Sequence, residues 1–200
     1  MATMGRPREF DTEKALDKAL NVFWRNGFEG ASIAELTQAM GISPPSLYAA
    51  FGNKEKLFRS VLDRYAEVRR QLWAELLKEP TARAMMTRLF ERVIQFYAEE
   101  GNPNCCMLVK GTMTTGDCGQ VIADHMNAKR AEGEQMLVAR FTQAKADGEL
   151  PDDIEPAELA GYYMTLLDGM SVRAAAGAGR DELRKVADLA MRGWPGALRG

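Results

Sequence analysis

The stretch from Ser32 to Phe58 constrains the fold of this chain more than any other part of the sequence. It reads SIAELTQAMGISPPSLYAAFGNKEKLF. Apolar residues recur at helical spacing on both sides of Gly41, a residue suited to the positive φ that often ends a helix. Two short helices across so tight a turn form a helix-turn-helix, whose second helix has the size to enter the major groove of DNA. The pattern therefore predicts a DNA-binding motif.

Capping residues mark the beginnings of both short helices. Ser32, with Glu35 at the third helical position, has the spacing of a capping box. Ser43 is a suitable N-cap for the second helix, and Pro44 suits its first position because the amide there would be unsatisfied. With the apolar side chains turned to the core, the residues left for the outer face are Pro45, Ser46, Tyr48, Ala49 and Ala50.

Composition limits the remaining possibilities. With 200 residues, 46% of them hydrophobic, the chain can build a sizeable core in one domain or two small ones. No apolar run approaches the roughly 20 residues of a membrane span, and the polar N-terminus has no signal-peptide core. Three cysteines fit a reducing compartment better than a disulfide framework. We therefore expect a cytoplasmic protein with no membrane association. The net charge of −2 neither supports nor excludes a nucleic-acid partner.

Helical periodicity continues to the C-terminus, and strand-like alternation is absent from the sequence. Besides the two motif helices, we expect helices over about residues 11–26, 54–78, 82–100, 105–113, 119–146, 156–176 and 181–193. The predicted fold class is all-α. A three-helix DNA-binding domain would occupy residues 1–53, and a second helical domain would occupy residues 54–200. The helix beginning at Lys54 would join the two rigidly.

Residues from about 10 to 58 resemble the DNA-binding region of TetR-type (tetracycline-repressor-like) bacterial transcription regulators. The matching pieces are Ala15 through Phe23, Gly27-Phe28, Ser32 through Leu36, Gly41-Ile42-Ser43 and, most specific, Ser46 through Phe58. The second helix of the motif, called the recognition helix because it enters the DNA groove, departs from the family pattern. The departures are at Ala49 and Ala50, where a second aromatic residue and a histidine are common. The C-terminal part resembles the family only in architecture and in the turn at residues 147–151.

The resemblance implies a homodimer whose N-terminal domains bind a palindromic operator and whose C-terminal domains bind a small-molecule inducer. It further implies that the chain is a ligand-responsive repressor. No enzymatic activity, cofactor or metal is expected. Two other functions are compatible with parts of the sequence. One is a helical interaction module with a degenerate helix-turn-helix. The other is an enzyme using Cys106 with Asp124 and His125, which is disfavoured because adjacent residues point about 100° apart on a helix.

The motif suggests specific DNA contacts. The Tyr48 hydroxyl and the Lys54 ammonium are expected to bind phosphate, since phosphate contacts fix the register without reading sequence. The outer residues near the start of the helix are expected to meet bases. The full expected set is Ser32, Pro44, Pro45, Ser46, Tyr48, Ala49 and Lys54. Arg6 and Arg8 lie in an arm that either enters a minor groove or stays solvated.

The C-terminal part offers a ligand site and a group of thiols. Methionine and aromatic residues suit an adaptable apolar pocket, although methionine at helical spacing is more often part of the plain core. The candidate ligand contacts are Phe96, Met107, Met113, Tyr163 and Met170. Cys105, Cys106 and Cys118 are candidates for redox or electrophile sensing, since Lys110 lies one turn beyond Cys106. Ordinary buried thiols are the alternative. With His125 they lack the paired spacing of a zinc site.

A symmetric operator requires a protein with two-fold symmetry. The last two helices carry apolar residues at helical spacing. These residues could pack within the chain, but because of the required symmetry we expect the homodimer to form through them. The residues concerned are Leu159, Tyr163, Leu166 and Met170, followed by Leu183, Val186, Ala190 and Trp194.

Overall fold

A computed structural model describes residues 10–114 and 120–196 of the chain. Within these ranges the regular structure is entirely α-helical, so the predicted all-α class is confirmed. The helices are α1 Thr12–Gly30, α2 Ile33–Met40, α3 Pro44–Phe51, α4 Lys54–Leu76, α5 Ala82–Ala98, α6 Met107–Thr114, α7 Gln120–Ala146, α8 Pro156–Ala175 and α9 Arg180–Arg192. The expected helices are all present. The first continues for a turn beyond Gly27, whose backbone (φ 73°, ψ 179°) interrupts its helical geometry.

The chain forms two compact units, one ending at Tyr65 and the other beginning at Ala66. The dividing point lies inside α4, which runs without interruption from Lys54 to Leu76. The boundary between residues 53 and 54 proposed from the sequence is a division by function, and it stays a prediction.

The N-terminal unit is built on the apolar face of α1. Ala15, Ala19 and Phe23 are buried on that face at the helical spacing of four residues. The ring of Phe58 in α4 packs edge-on against Phe23, with 4.8 Å between centroids. On the outside of the same pair of helices, the Arg64 guanidinium binds both carboxylate oxygens of Asp17, at 2.8 and 3.2 Å. These contacts fix the first half of α4 against α1.

The C-terminal unit has a core centred on Tyr163. Its ring lies 6.0 Å from that of Phe90, 6.1 Å from that of Phe141 and 5.5 Å from that of Trp194, measured between centroids. Helices α5 and α9 pack together, as do α7 and α8. This core joins residues that are far apart in sequence.

The faces of α8 and α9 that the sequence assigned to the dimer interface lie inside the protomer, so that assignment was wrong. Six of the eight residues are buried within the chain, and the other two pack partly buried against the same core. Both helices use those faces to cover α5 and α7. Apolar side chains on their other faces are exposed: Tyr162 (51%), Val172 (40%) and Leu189 (64%).

The turn between α7 and α8 is tied to the beginning of α5. Gly148 has a φ of 76°, which permits the reversal of the chain. One oxygen of the Glu149 carboxylate accepts the Ala82 amide proton at 2.6 Å, and the other accepts from Arg140 at 3.1 Å. Glu149 therefore satisfies a free amide at the N-terminus of α5 and neutralises a largely buried guanidinium.

Replacing Glu149 with alanine is expected to lower the free energy of unfolding by about 2 kcal/mol, because a charge-assisted hydrogen bond is lost and Arg140 is left buried without its partner. Thermal or urea unfolding monitored by circular dichroism measures the change. The matched control is Asp147→Ala in the same turn, where the carboxylate is exposed and, among the described residues, accepts only from the side chain of Gln143. Equal losses in the two variants would contradict this account of the turn.

Candidate nucleic-acid interface

The predicted capping box at the beginning of α2 is formed. The Ser32 hydroxyl oxygen accepts the Glu35 amide proton at 3.1 Å, and a Glu35 carboxylate oxygen accepts the Ser32 amide proton at 2.9 Å. The same oxygen accepts the Ser32 hydroxyl proton at 2.8 Å. The Ser32 amide holds the pKa of Glu35 below its ordinary value, and the hydroxyl adds to this effect. Ser32 therefore has both donors engaged, and contact with a phosphate requires Glu35 to release one of them.

The turn between α2 and α3 has the geometry that its glycine predicts. Gly41 adopts the left-handed conformation, with φ 71° and ψ 31°. Its amide and that of Ile42 both donate to the Thr37 carbonyl, at 2.9 and 3.1 Å. Ser43 then caps α3 by accepting the Ser46 amide proton at 3.3 Å. This tight turn fixes the angle at which α3 leaves α2.

The outer face of α3 is apolar or neutral. Leu47 is fully buried and anchors the helix, whereas the Tyr48 side chain is 48% exposed. The hydroxyl of Tyr48 has no hydrogen bond to any residue that the structure describes. The other exposed side chains are Pro44, Pro45, Ala49 and Ala50. No side chain of α3 carries a charge.

Ser46, which the sequence predicts to face the bases, lies in the first turn of α3. It is half-buried, and its oxygen lies 2.9 Å from that of Ser43. A serine hydroxyl has one donor and two acceptor sites, so this contact leaves capacity for a further partner.

Lys54 has a structural role that its sequence position does not reveal. Its ammonium donates to the Glu29 carbonyl at 3.3 Å and lies 4.7 Å from the centroid of the Phe28 ring. These contacts hold the end of α1 against the beginning of α4. Because an ammonium has three protons, Lys54 keeps donors for a phosphate as well.

The structure separates the candidate ligand contacts. Tyr163 and Met170 belong to the same core cluster, while Phe96 and Met107 lie outside it within the described part of the chain. Phe96 touches that region through the neighbouring ring of Tyr97, 5.9 Å away. The hydroxyl of Tyr163 is buried without a hydrogen-bond partner among the described residues, and burial raises its pKa. The side chain of Met113 lies outside the described residues.

The two adjacent cysteines differ in exposure. Cys105 is buried, whereas Cys106 is half-buried at the beginning of α6. The Cys106 amide donates to the hydroxyl of Ser171, a fully buried serine of α8, at 2.7 Å. Burial raises the pKa of the nearby Tyr97, with a smaller contribution from Cys106. Cys118, like Arg6 and Arg8, lies outside the described residues.

In residues 10–114 and 120–196, no three His, Cys, Asp or Glu side chains converge as metal ligands do. No helix in the same ranges combines the length and the apolar character needed to cross a bilayer.

Comparison with known proteins places this architecture among bacterial regulators. Residues 15–61 match the sequence profile described as bacterial regulatory proteins of the tetR family. The HTH-type transcriptional repressor ComR of Escherichia coli (strain K12) is 34% identical over 196 residues, which cover 96% of this chain and 92% of that protein. The HTH-type transcriptional repressor BdcR of the same organism is 29% identical over 189 residues, covering 93% and 90%.

A solved structure provides the corresponding likeness in three dimensions. It contains a cysteine mutant of the TetR family transcriptional regulator CifR, complexed with 26 bp double-strand operator DNA. It superposes with a TM-score of 0.89 at 39% sequence identity, covering 95% of this chain and 100% of that one. These relatives are transcriptional regulators, not enzymes.

The capping box makes the stability of this motif depend on pH. Since the folded state holds the pKa of Glu35 low, the carboxylate stabilises the fold above its ordinary pKa of about 4.3, and this contribution is lost as the pH falls through the lower folded value. A Glu35→Gln variant keeps the shape of the box without the charge. Its melting temperature is expected to lie below that of the wild type at pH 7 and to converge with it in acid.

Melting curves from neutral pH down to about pH 3 test this, because that range spans the ordinary pKa of glutamate. Glu29→Gln, which removes a carboxylate outside the capping box, is the control. A difference between wild type and Glu35→Gln that stays constant over the whole range would show that the carboxylate charge has no role in the cap.

Proposed function

The chain belongs to the TetR family of bacterial regulatory proteins, and on that premise we propose that it is a transcriptional repressor. It binds a palindromic operator as a homodimer and leaves the DNA in response to a small-molecule or redox signal. The observation that carries this proposal is the uncharged face of α3, exposed beside a tightly capped turn. Further support comes from CifR, whose complex with operator DNA has the same fold at 39% identity.

Tyr48 and Lys54 are the proposed phosphate contacts. The Tyr48 hydroxyl is exposed and unbonded within the described residues, so it can donate without breaking an existing contact. Lys54 is already held in place by Glu29 and Phe28, and a donor with a fixed position loses less entropy on binding. The remaining proposed DNA contacts are Ser32, Pro44, Pro45, Ser46 and Ala49. A proline or alanine there meets thymine methyl groups, and Ser46 reads bases by hydrogen bonds.

Two other functions are less well supported. A degenerate motif used only for protein contacts would not need an intact capping box and a left-handed turn at Gly41, both of which are present. A cysteine-dependent enzyme is not supported by the relatives, which are regulators. We propose that the chain has no catalytic activity and acts in the bacterial cytoplasm, where the DNA is.

The signal is proposed to act in the C-terminal unit. Tyr163 offers a buried hydroxyl without a partner among the described residues, which suits a ligand that carries a hydrogen-bond acceptor. Met170 lies in the same cluster, whereas Phe96 and Met107 would have to act from its edge. For a redox signal Cys106 is a better candidate than Cys105, because it is the more exposed of the two. Met113 and Cys118 stay candidates on sequence grounds alone.

The dimer is proposed to form through the outer faces of α8 and α9. One face of α8 carries Tyr162, Gly169 and Val172. The first two are about two helical turns apart, and the last two are about one turn apart. A Cβ placed on Gly169 would meet nothing within 4 Å, which leaves room for a partner helix to approach. Leu189 supplies an exposed apolar side chain from α9. Together these exposed residues of α8 and α9 form an apolar stripe of the kind that a second helix covers.

Tyr48→Phe is expected to weaken operator binding by about tenfold for each protomer bound, because one hydrogen bond to a charged phosphate is lost. Since no charge is removed, the dependence of affinity on salt should not change. Fluorescence anisotropy with a duplex from the region upstream of the protein's own gene measures both quantities. Thr142→Val, which removes an exposed hydroxyl from α7, is the control.

The comparison requires that both variants be dimeric and folded, as shown by ultracentrifugation and circular dichroism. If Tyr48→Phe binds the duplex as tightly as the wild type, the phosphate contact is assigned to the wrong residue. If the wild type binds no more tightly to this duplex or to any selected duplex than to random competitor, the proposed function is wrong.

Leu189→Glu is expected to shift the protein from dimer to monomer, because two carboxylates would be brought into an apolar interface. Sedimentation velocity at several protein concentrations measures the change in the dissociation constant. Arg184→Glu, an exposed change elsewhere on α9, provides the comparison for the added charge. A Leu189→Glu protein that sediments as a wild-type dimer would place the interface on another surface.

A further inference from the structure

Lys56 lies against the C-terminal end of the recognition helix. Gly52 ends α3 with a φ of 81°, and its amide donates to the Tyr48 carbonyl at 2.9 Å. Gly52 therefore stands one helical turn beyond Tyr48. A Cβ placed on Gly52 would lie 3.1 Å from Cδ of Lys56 and 3.7 Å from its Nζ. The side chain of Lys56 is thus folded over this glycine, with its ammonium at the end of α3.

The backbone holds Lys56 in this position. Asn53 precedes α4, and its side-chain oxygen accepts the Lys56 amide proton at 2.8 Å. The carbonyls at the C-terminal end of a helix attract a cation, and α3 has no basic residue of its own in its last turn. Lys56 therefore places a positive charge at the end of α3 although it belongs to the next helix.

The ammonium of Lys56 is also available. The side chain is exposed, and in the described part of the chain it forms no ion pair. The neighbouring Arg59, by contrast, is paired with Glu55 at 2.6 Å. Lys54 is half-buried and donates to a carbonyl. At this end of the motif, Lys56 has the least engaged of these three cationic groups.

We infer that Lys56 binds a DNA phosphate next to the one bound through Tyr48, and so supplies charge that the recognition helix lacks. The inference rests on the proposed function, since it assigns a further contact to the same interface. An ammonium held against Gly52, one turn from Tyr48, can reach the phosphate backbone while the apolar face of α3 occupies the groove. Glycine suits position 52 because its φ of 81° would strain a residue with a side chain, and a Cβ there would press on the stem of Lys56.

The test is the salt dependence of binding for Lys56→Met, which keeps the aliphatic stem over Gly52 and removes only the charge. The probe is a duplex selected by the wild-type protein from a random-sequence library. The slope of log affinity against log salt concentration is expected to become shallower by about 0.9 for each protomer bound. At about 0.15 M salt the affinity is expected to fall roughly fivefold per protomer. Lys56→Arg should behave like the wild type, as should Lys78→Ala, which removes an exposed lysine from the other unit.

The outcomes separate this inference from its alternatives. A lysine that only neutralises the end of α3 would give Lys56→Met a lower melting temperature and an unchanged salt slope, and that result would overturn the inference. A normal melting temperature with a shallower slope supports it. If the selection returns no sequence that the wild type prefers, the proposed function itself fails. If the wild type binds its selected duplex and Lys56→Met matches it at every salt concentration, only the assignment of Lys56 is wrong.

Discussion

The position of the recognition helix depends on aromatic packing outside that helix. Within α3 only Leu47 is fully buried, and the half-buried Phe51 adds a ring contact with Phe10, so most of the attachment comes from other helices. Immediately after it, Phe58 packs against Phe23 at 4.8 Å and against Phe28 at 5.2 Å, and each such pair adds about 1 kcal/mol beyond the burial of its surface. Lys54 covers the ring of Phe28. The short segment between Leu47 and Phe58 is held at both ends, and that constraint leaves the outer face of α3 free to carry small, uncharged side chains.

The positions of the helices could be predicted because the signals that end and begin them are local. Ser32, Gly41 and Ser43 each act within a few residues, and each adopts the cap or turn expected of it. The hydrogen bond from Lys54 to the Glu29 carbonyl could not be predicted, since Glu29 is distant in sequence and the two residues meet only through the fold. The same holds for Glu149, which caps a helix that begins at Ala82. The DNA-facing positions of α3 follow from helical periodicity, whereas the availability of each side chain depends on which hydrogen bonds the fold has already made.

The faces of the last two helices show a different limit of prediction from sequence. Helical periodicity identifies Tyr163 and Leu183 as members of apolar stripes, but a stripe has the same pattern whether it is covered by its own chain or by a partner. Here the most regular stripes are covered within the protomer. What remains for a partner is less regular and consists of small or isolated residues, such as Gly169 and Leu189. The sequence pattern identifies the apolar stripes, and only the fold shows which of them its own chain already covers.

The uncharged outer face of α3 has a consequence for how this repressor would choose its site. A helix whose exposed side chains are those of proline, alanine and one tyrosine has no group able to form the paired hydrogen bonds that distinguish guanine or adenine strongly. Discrimination must then come in large part from the energy needed to bend or twist the duplex between the two half-sites. Base pairs that the protein never touches would influence affinity through their stiffness and groove width. The spacer at the centre of the operator, and not only its arms, would be under selection.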